Sequence, residues 1–482
     1  MRIIGNDPSI PRKTQVVASG TLSTGNPVIV LADGSVQVVE QNTVTQSATT
    51  PVVYEQGNTS SHAACYDTTN NKVVVAYDDE DNSNYGTAIV GTVSNGAITF
   101  GTAVVFESAS VDYVACDFDA SAGKVVIAYK DNGNSNRCTA VVGTVSGTSI
   151  SFGTPVVVQT ETSYYMNVVY DSANSKTVVF WQTSSATRAK VGTVSGTTIS
   201  FGSVVSAKTE SNPSFLTTCY DSTNSQILLS WRDGSADGRA TRGTVSGTSI
   251  SFSGESEWEA GSVASDQGIA YDPVNQKAVI FYRNSGNSNY GTAIVVTNTG
   301  SGSLTFGTKV VFLSATANNI RAAYDSTSGK IVVAYRDGGN SSYGTFASAT
   351  VSGTSVSFDS PYVFESAVAL NFGMTDVTDE GVVFIGYKDN GNTGKGTATL
   401  VTAGYTDKNL TSENFVGFAK SDVIDGDGVV VNTQGAIDEG QSSLTAGQAY
   451  YVQNDGTLST TADDPSVFAG TAVSATKLIV KG

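Results

Sequence analysis

One bulky aromatic position recurs seven times along this chain, and that recurrence limits the fold more than any other feature. Tyr77, Tyr129, Trp181, Trp231, Tyr282, Tyr335 and Tyr387 follow one another at intervals of 52, 52, 50, 51, 53 and 52 residues. The run Lys72-Val-Val-Val-Ala-Tyr77 returns as Lys124-Val-Val-Ile-Ala-Tyr129 and Lys330-Ile-Val-Val-Ala-Tyr335. Two further markers keep the same period. Gly-Thr-Val-Ser begins at Gly91, Gly143, Gly192 and Gly243, and weakens to Ala349-Thr350-Val351-Ser352. An aromatic-Asp pair stands at Tyr66-Asp67, Phe118-Asp119, Tyr170-Asp171, Tyr220-Asp221, Tyr271-Asp272 and Tyr324-Asp325.

Each repeat reads as four short β-branched runs separated by Asp-Ser-Thr-Asn, Asp-Asn-Gly-Asn-Ser and Ser-Gly-Thr-Ser turns. Four antiparallel strands in every ~40–50 residues is the pattern of a β-propeller blade. The seventh repeat lacks a fourth strand after Lys395–Thr402. The matching stretch lies at the other end of the ring: Thr50-Pro-Val-Val-Tyr-Glu55 repeats as Thr102-Ala-Val-Val-Phe-Glu107. The sequence therefore predicts an all-β chain with a seven-bladed β-propeller over residues 46–404. An N-terminal strand completes its last blade and leaves no free edge.

Residues 1–45 and 405–482 are expected to build one small β-domain from both chain ends. Leu22–Val36 aligns with Leu444–Leu458, each a strand, an Asp-Gly turn and a strand. Phe415–Ala419 likewise echoes Val467–Thr471.

Composition excludes several functions. Lys and Arg number 26 against 43 Asp and Glu, a net charge of −17, which disfavours nucleic acid and anionic membranes. His62 is the one histidine, so multi-histidine metal centres are ruled out. It sits in a Ser-Ser-His stretch and reads as a solvated polar residue. The four cysteines lack zinc-site spacing. The segment Met1–Pro8 carries no apolar run of signal-peptide length, and no stretch approaches a membrane span. The expectation is a protein made in a cytoplasm and not inserted in a membrane.

In a four-stranded blade the second turn and the blade-to-blade link share one face. The links differ in every repeat, and variable loops on a rigid scaffold are where recognition resides. Tyr113, Tyr164, Tyr165, Phe215, Trp258, Arg321 and Phe372 lie there and are the candidate ligand-binding residues, being types that dominate binding energy. Packing between blades is the competing use of each ring. The acidic turn Asp78-Asp79-Glu80-Asp81 could offer calcium up to four carboxylates. Other copies lose the acid, and Asx-turn stabilisation explains the pattern more simply. No resident metal or cofactor is therefore expected, with calcium at these turns as the one exception. No catalytic residues stand out, and no carboxylate pair suggests glycosidase chemistry.

The repeat Tyr-Asp-Ser-Thr-x-Gly-Lys-Val-Val-Val-Ala-Tyr-Arg-Asp-x-Gly-Asn-Ser resembles β-propeller tail-fibre and virion appendage proteins of marine bacteriophages. The run from Leu444 through Val480 is similar to a small β-module of phage structural proteins. The resemblance implies a non-enzymatic virion protein, often a homo-oligomer, that meets a host surface glycan or protein and docks to other virion proteins. A polysaccharide-degrading enzyme and a purely architectural capsid or tail component are the alternatives on the same scaffold.

Overall fold

The computed structural model describes residues 12–260 and 264–481. Its regular elements there are β-strands and short 3-10 turns, and the strands pair antiparallel into several sheets. The chain divides into two compact units, residues 45–404 and a unit made from both ends, up to Val44 and from Tyr405.

In the larger unit the recurring Lys-Val-Val-Val-Ala-Tyr runs become Lys72–Asp79, Lys124–Asp131, Lys176–Thr183, Gln226–Arg232, Lys277–Asn284, Lys330–Asp337 and Val382–Asp389. Each is the second strand of a four-stranded antiparallel set. It pairs with a preceding strand that ends at the aromatic-Asp position and with a following strand. In six of the seven sets an Asp closes the first strand, is buried and fixes the turn; the seventh ends at Val377. Asp67 Oδ1 accepts from Thr69 N at 2.9 Å and Asn70 N at 3.0 Å. Asp221 and Asp272 repeat this geometry. These are Asx turns, where a carboxylate replaces a missing backbone acceptor.

Four of the links between successive repeats are not loops, contrary to the expectation from sequence. Val52–Asp67, Val104–Asp119, Val310–Asp325 and Tyr362–Val377 are continuous 16-residue strands. The first half of Val104–Asp119 pairs with Tyr85–Ser94, and its second half pairs with Lys124–Asp131. One strand thus closes one sheet and opens the next. At the N-terminal side, Val52, Val53, Glu55 and Asn58 pair with Ala398, Thr397, Gly396 and Lys395.

Seven apolar cores result, each filled from two consecutive sheets. Val125, Ile127 and Tyr129 of the second set face Cys65, Val74 and Val90 of the first. Val377, Phe384 and Leu400 of the seventh set face Val73, Tyr77 and Ile89 of the first. The seven recurring aromatics are fully buried. Full burial of such side chains favours folding by roughly 1.5–3 kcal/mol each. Their polar atoms need acceptors, and a glutamate 21–23 residues upstream supplies one in five repeats. Tyr77, Tyr129 and Tyr387 donate to Glu55, Glu107 and Glu365 at 2.9 Å. Tyr282 donates to Glu259 at 2.6 Å, and Trp231 Nε1 to Glu210 at 2.5 Å.

The terminal unit holds two five-stranded sheets and a two-stranded ribbon. Pro27–Val30 and Val36–Val38 form a hairpin beside Phe415–Ala419, and Ala449–Val452 and Leu458–Ser459 form its counterpart beside Val467–Ser474. Ile29 faces Phe415 as Tyr451 faces Phe468. The equivalence therefore runs one residue later than the sequence echo suggested. Ile29, Phe418, Tyr450 and Val452 share one core.

Candidate functional site

Every first strand of the larger unit carries a bulge at the same place. Pairing slips between Ser60 and Ala63, and again between Asp112 and Ala115, Tyr164 and Asn167, and Ser214 and Thr217. The same slip falls between Ser265 and Gly268, Asn318 and Arg321, and Leu370 and Gly373. The first residue of each bulge is left-handed, with φ between 47° and 56°: Ser61, Tyr113, Tyr165, Phe215, Asp266, Asn319 and Asn371. None is glycine, and a side chain there costs roughly 1–2 kcal/mol. Strain repeated at one level is a recognised mark of a functional rim.

These seven residues are half-buried and surround the mouth of a cavity of about 260 Å³. It shares Tyr113, Tyr165, Gln267 and Arg321 with a second cavity of about 230 Å³, lined from all seven first strands. The next residue in each bulge turns into the protein: His62, Val114, Met166, Leu216, Gln267, Ile320 and Phe372 are all buried.

The rim has two different arcs. Tyr113 and Tyr165 meet with ring centroids 5.0 Å apart, and Tyr165 and Phe215 at 5.4 Å. Tyr164 stands edge-on to Tyr113 at 6.1 Å. Lys130 Nζ lies 5.5 Å from the Tyr164 ring and 5.8 Å from the Tyr113 ring, held by Asp112 at 3.1 Å. Burial pushes the Tyr165 hydroxyl up to about 12, so it remains a neutral donor. Asp266, Asn319, Asn371 and Ser61 complete the circle with amide, hydroxyl and carboxylate groups. Asp266 is ion-paired to Arg283 at 3.0 Å. Arg321 is reached by solvent through the cavity yet walled by protein. The protein packed around it lowers its guanidinium from the usual value, and the Asp266 carboxylate opposes the shift.

Of the seven residues expected from sequence, Tyr113, Tyr165, Phe215 and Arg321 line the mouth, and Tyr164 flanks it. Trp258 and Phe372 must be corrected. Trp258 is 4% exposed, meets Tyr282 edge-to-face with ring centroids 4.7 Å apart, and covers Gly238, where a Cβ would lie 2.5 Å from its ring. It lies on the strand Ser249–Glu259, in the core role that Phe106 plays against Gly86. Phe372 is 1% exposed and packs on Phe364 and Tyr387, because the second bulge residue points inward; it reaches the wall of the second cavity but not the mouth. His62 is also not the solvated residue expected. At 5% exposure its ring is held by the Asn371 carbonyl and Thr59 Oγ1, and burial lowers its pKa to about 4. Asp266 and Gln267 were missed. The 50–53-residue period measured from Phe215 points to this pair rather than to Trp258.

The acidic second turns are occupied by protein. Asp79 caps Asn82 N at 3.2 Å, Asp78 accepts from Ser60 at 2.9 Å, and Glu80 pairs with Lys388 at 3.0 Å. Among the described residues no three His, Cys, Asp or Glu side chains converge as a metal set. No protein-family model matches the chain, and no curated protein matches it.

Proposed function

We propose that residues 45–404 are a seven-bladed β-propeller that binds a saccharide at its bulged mouth, in a bacteriophage virion appendage that meets a host surface. The observation that carries the binding reading is the divided rim: Tyr113, Tyr165 and Phe215 in contact on one side, Asp266, Asn319 and Asn371 on the other. A sugar presents an apolar C–H face and a girdle of hydroxyls, and these two arcs match the two surfaces. The propeller reading is supported by the core that the seventh strand set shares with the first and by the Val52–Asn58 pairing with Lys395–Ala398.

Binding without bond cleavage fits the charge pattern. Among the described lining residues of the mouth, Asp266 is the carboxylate, and Arg283 neutralises it. Glycoside hydrolysis ordinarily uses two carboxyl groups, one of them protonated. The virion setting rests on the repeat's resemblance to phage appendage propellers. In that setting the terminal β-unit is the anchor, and many copies would convert modest single-site affinity into firm attachment.

The test is saccharide-array binding by the full chain, with Tyr165→Gly as control. Retention of a saccharide by the native protein and its loss in the variant are expected. No retained saccharide at millimolar concentration would overturn the binding reading. Mass spectrometry of purified particles tests the virion assignment separately.

A further inference from the structure

Two N–H donors in the cavity lack an anionic partner of their own. Arg321 gives one guanidinium N–H to the Ile320 carbonyl at 2.9 Å. The carboxylate that acts on it, Asp266, is already engaged by Arg283. On the adjacent strand, Gln267 is 3% exposed and lines both cavities. Its Oε1 accepts from Ser230 Oγ at 2.8 Å, while its Nε2 has no partner. A buried N–H without an acceptor is costly, and a ligand oxygen would supply one. The two strands run close: a Cβ on Gly268 would sit 3.1 Å from Arg321 Cα. His62, the other ionisable side chain besides the tyrosines and Cys116 in the wall, is held neutral by burial, with both ring nitrogens hydrogen-bonded.

We infer that the mouth selects an acidic saccharide, its carboxylate taken by the Arg321 guanidinium and Gln267 Nε2 while the sugar ring stacks on Tyr113 and Tyr165. The inference rests on the saccharide-binding reading and narrows it to one substrate class. The planar guanidinium fork suits a carboxylate, with two parallel N–H···O bonds. The overall charge of −17 does not forbid this, because salt screens remote charges beyond about 8 Å while the walled Arg321 acts at contact distance.

The experiment is calorimetric titration of the full chain with a galacturonate trisaccharide, the uncharged galactose trisaccharide and acetate. The uronate is expected to bind at least tenfold more tightly than either control. Arg321→Asn, which installs the residue found at the equivalent Asn167, should abolish that preference, bringing uronate affinity to within twofold of that for the neutral trisaccharide. Gln267→Leu, matching the equivalent Leu216, should reduce the preference severalfold. Equal binding of charged and neutral sugars would overturn this inference and leave the proposed function standing. Equal binding of acetate and uronate would remove the role of the aromatic arc. If neither saccharide binds, both readings fall.

Discussion

His62 Nδ1 lies 2.8 Å from the carbonyl oxygen of Asn371, a residue 309 positions further along the chain. The contact joins the first strand set to the seventh. The carbonyl can only accept, so Nδ1 carries the proton, and Nε2 is left to accept from Thr59 Oγ1 at 3.0 Å. Burial and the nearby Lys388 both oppose a positive ring, lowering its pKa from 6.5 to about 4.

This gives a signed pH dependence. Between pH 6.5 and 4 the unfolded chain protonates His62 and the native one does not, so stability falls as pH drops through that window. The full effect is about 3 kcal/mol. Asp117, raised to about 6 by burial, acts in the opposite direction between pH 6 and 4, so only a difference isolates the histidine. His62→Leu should be less stable than native at pH 7, having lost two hydrogen bonds. The deficit should shrink or reverse by pH 4.5 in denaturant titrations. Parallel pH profiles for the two proteins would contradict the assignment.

Tyr165 separates recognition from packing because its backbone is left-handed, with φ of 49°. Glycine adopts that conformation without penalty. Tyr165→Gly therefore removes the ring and relieves strain together, and its melting temperature should stay within a few degrees of native. Saccharide retention should drop at least tenfold. A large loss of stability instead would assign the ring to the core between the third and fourth strand sets.

The period, the strand content and the turn chemistry were legible because each rests on local residue type. β-Branched runs form strands, Asp67 and its copies cap turns, and a bulky residue returning every ~50 positions must fill a repeated core. The site was legible only in part. A bulge breaks the two-residue alternation from which facing is read, so Phe372 was expected outward and turns inward, while Tyr165 stays at the rim. Trp258 misled because its Glu-Trp-Glu setting reads as a solvated link, although Glu259 is the acceptor for buried Tyr282. Asp266 and Gln267 carry no aromatic marker, and only their place in the period reveals them.

The glutamate that serves each recurring aromatic is absent from two repeats, and both show the consequence. Position 313 is Leu and the Tyr335 hydroxyl has no partner; position 159 is Gln and Trp181 Nε1 has none. Glu107→Ala should recreate that defect at Tyr129 and cost about 1–3 kcal/mol, the usual penalty for an orphaned buried donor. Leu313→Glu should repair it at Tyr335 and add about 1 kcal/mol. Urea unfolding midpoints of both variants, read at unchanged slope, decide the matter. A destabilised Leu313→Glu protein would mean that burying the carboxylate outweighs the bond it makes.

Gly373 marks where the seventh first-strand passes the first one. A Cβ there would lie 2.9 Å from the Ala63 carbonyl carbon and 3.0 Å from Ala63 Cα and Ala64 N. These are backbone atoms on a strand paired to its own neighbour, so no side-chain rotation can relieve the clash. Gly268 meets Arg321 and Ala322 in the same way two repeat boundaries earlier, at 3.1–3.2 Å. Gly373→Ala should therefore cost about 1–3 kcal/mol, as overpacking does in a well-filled interior. Because the strain falls on the contact between the first and last strand sets, protection of the Val52–Asn58 amides against hydrogen exchange should drop first. Uniform loss of protection over all seven sets would show that this junction is no weaker than the rest.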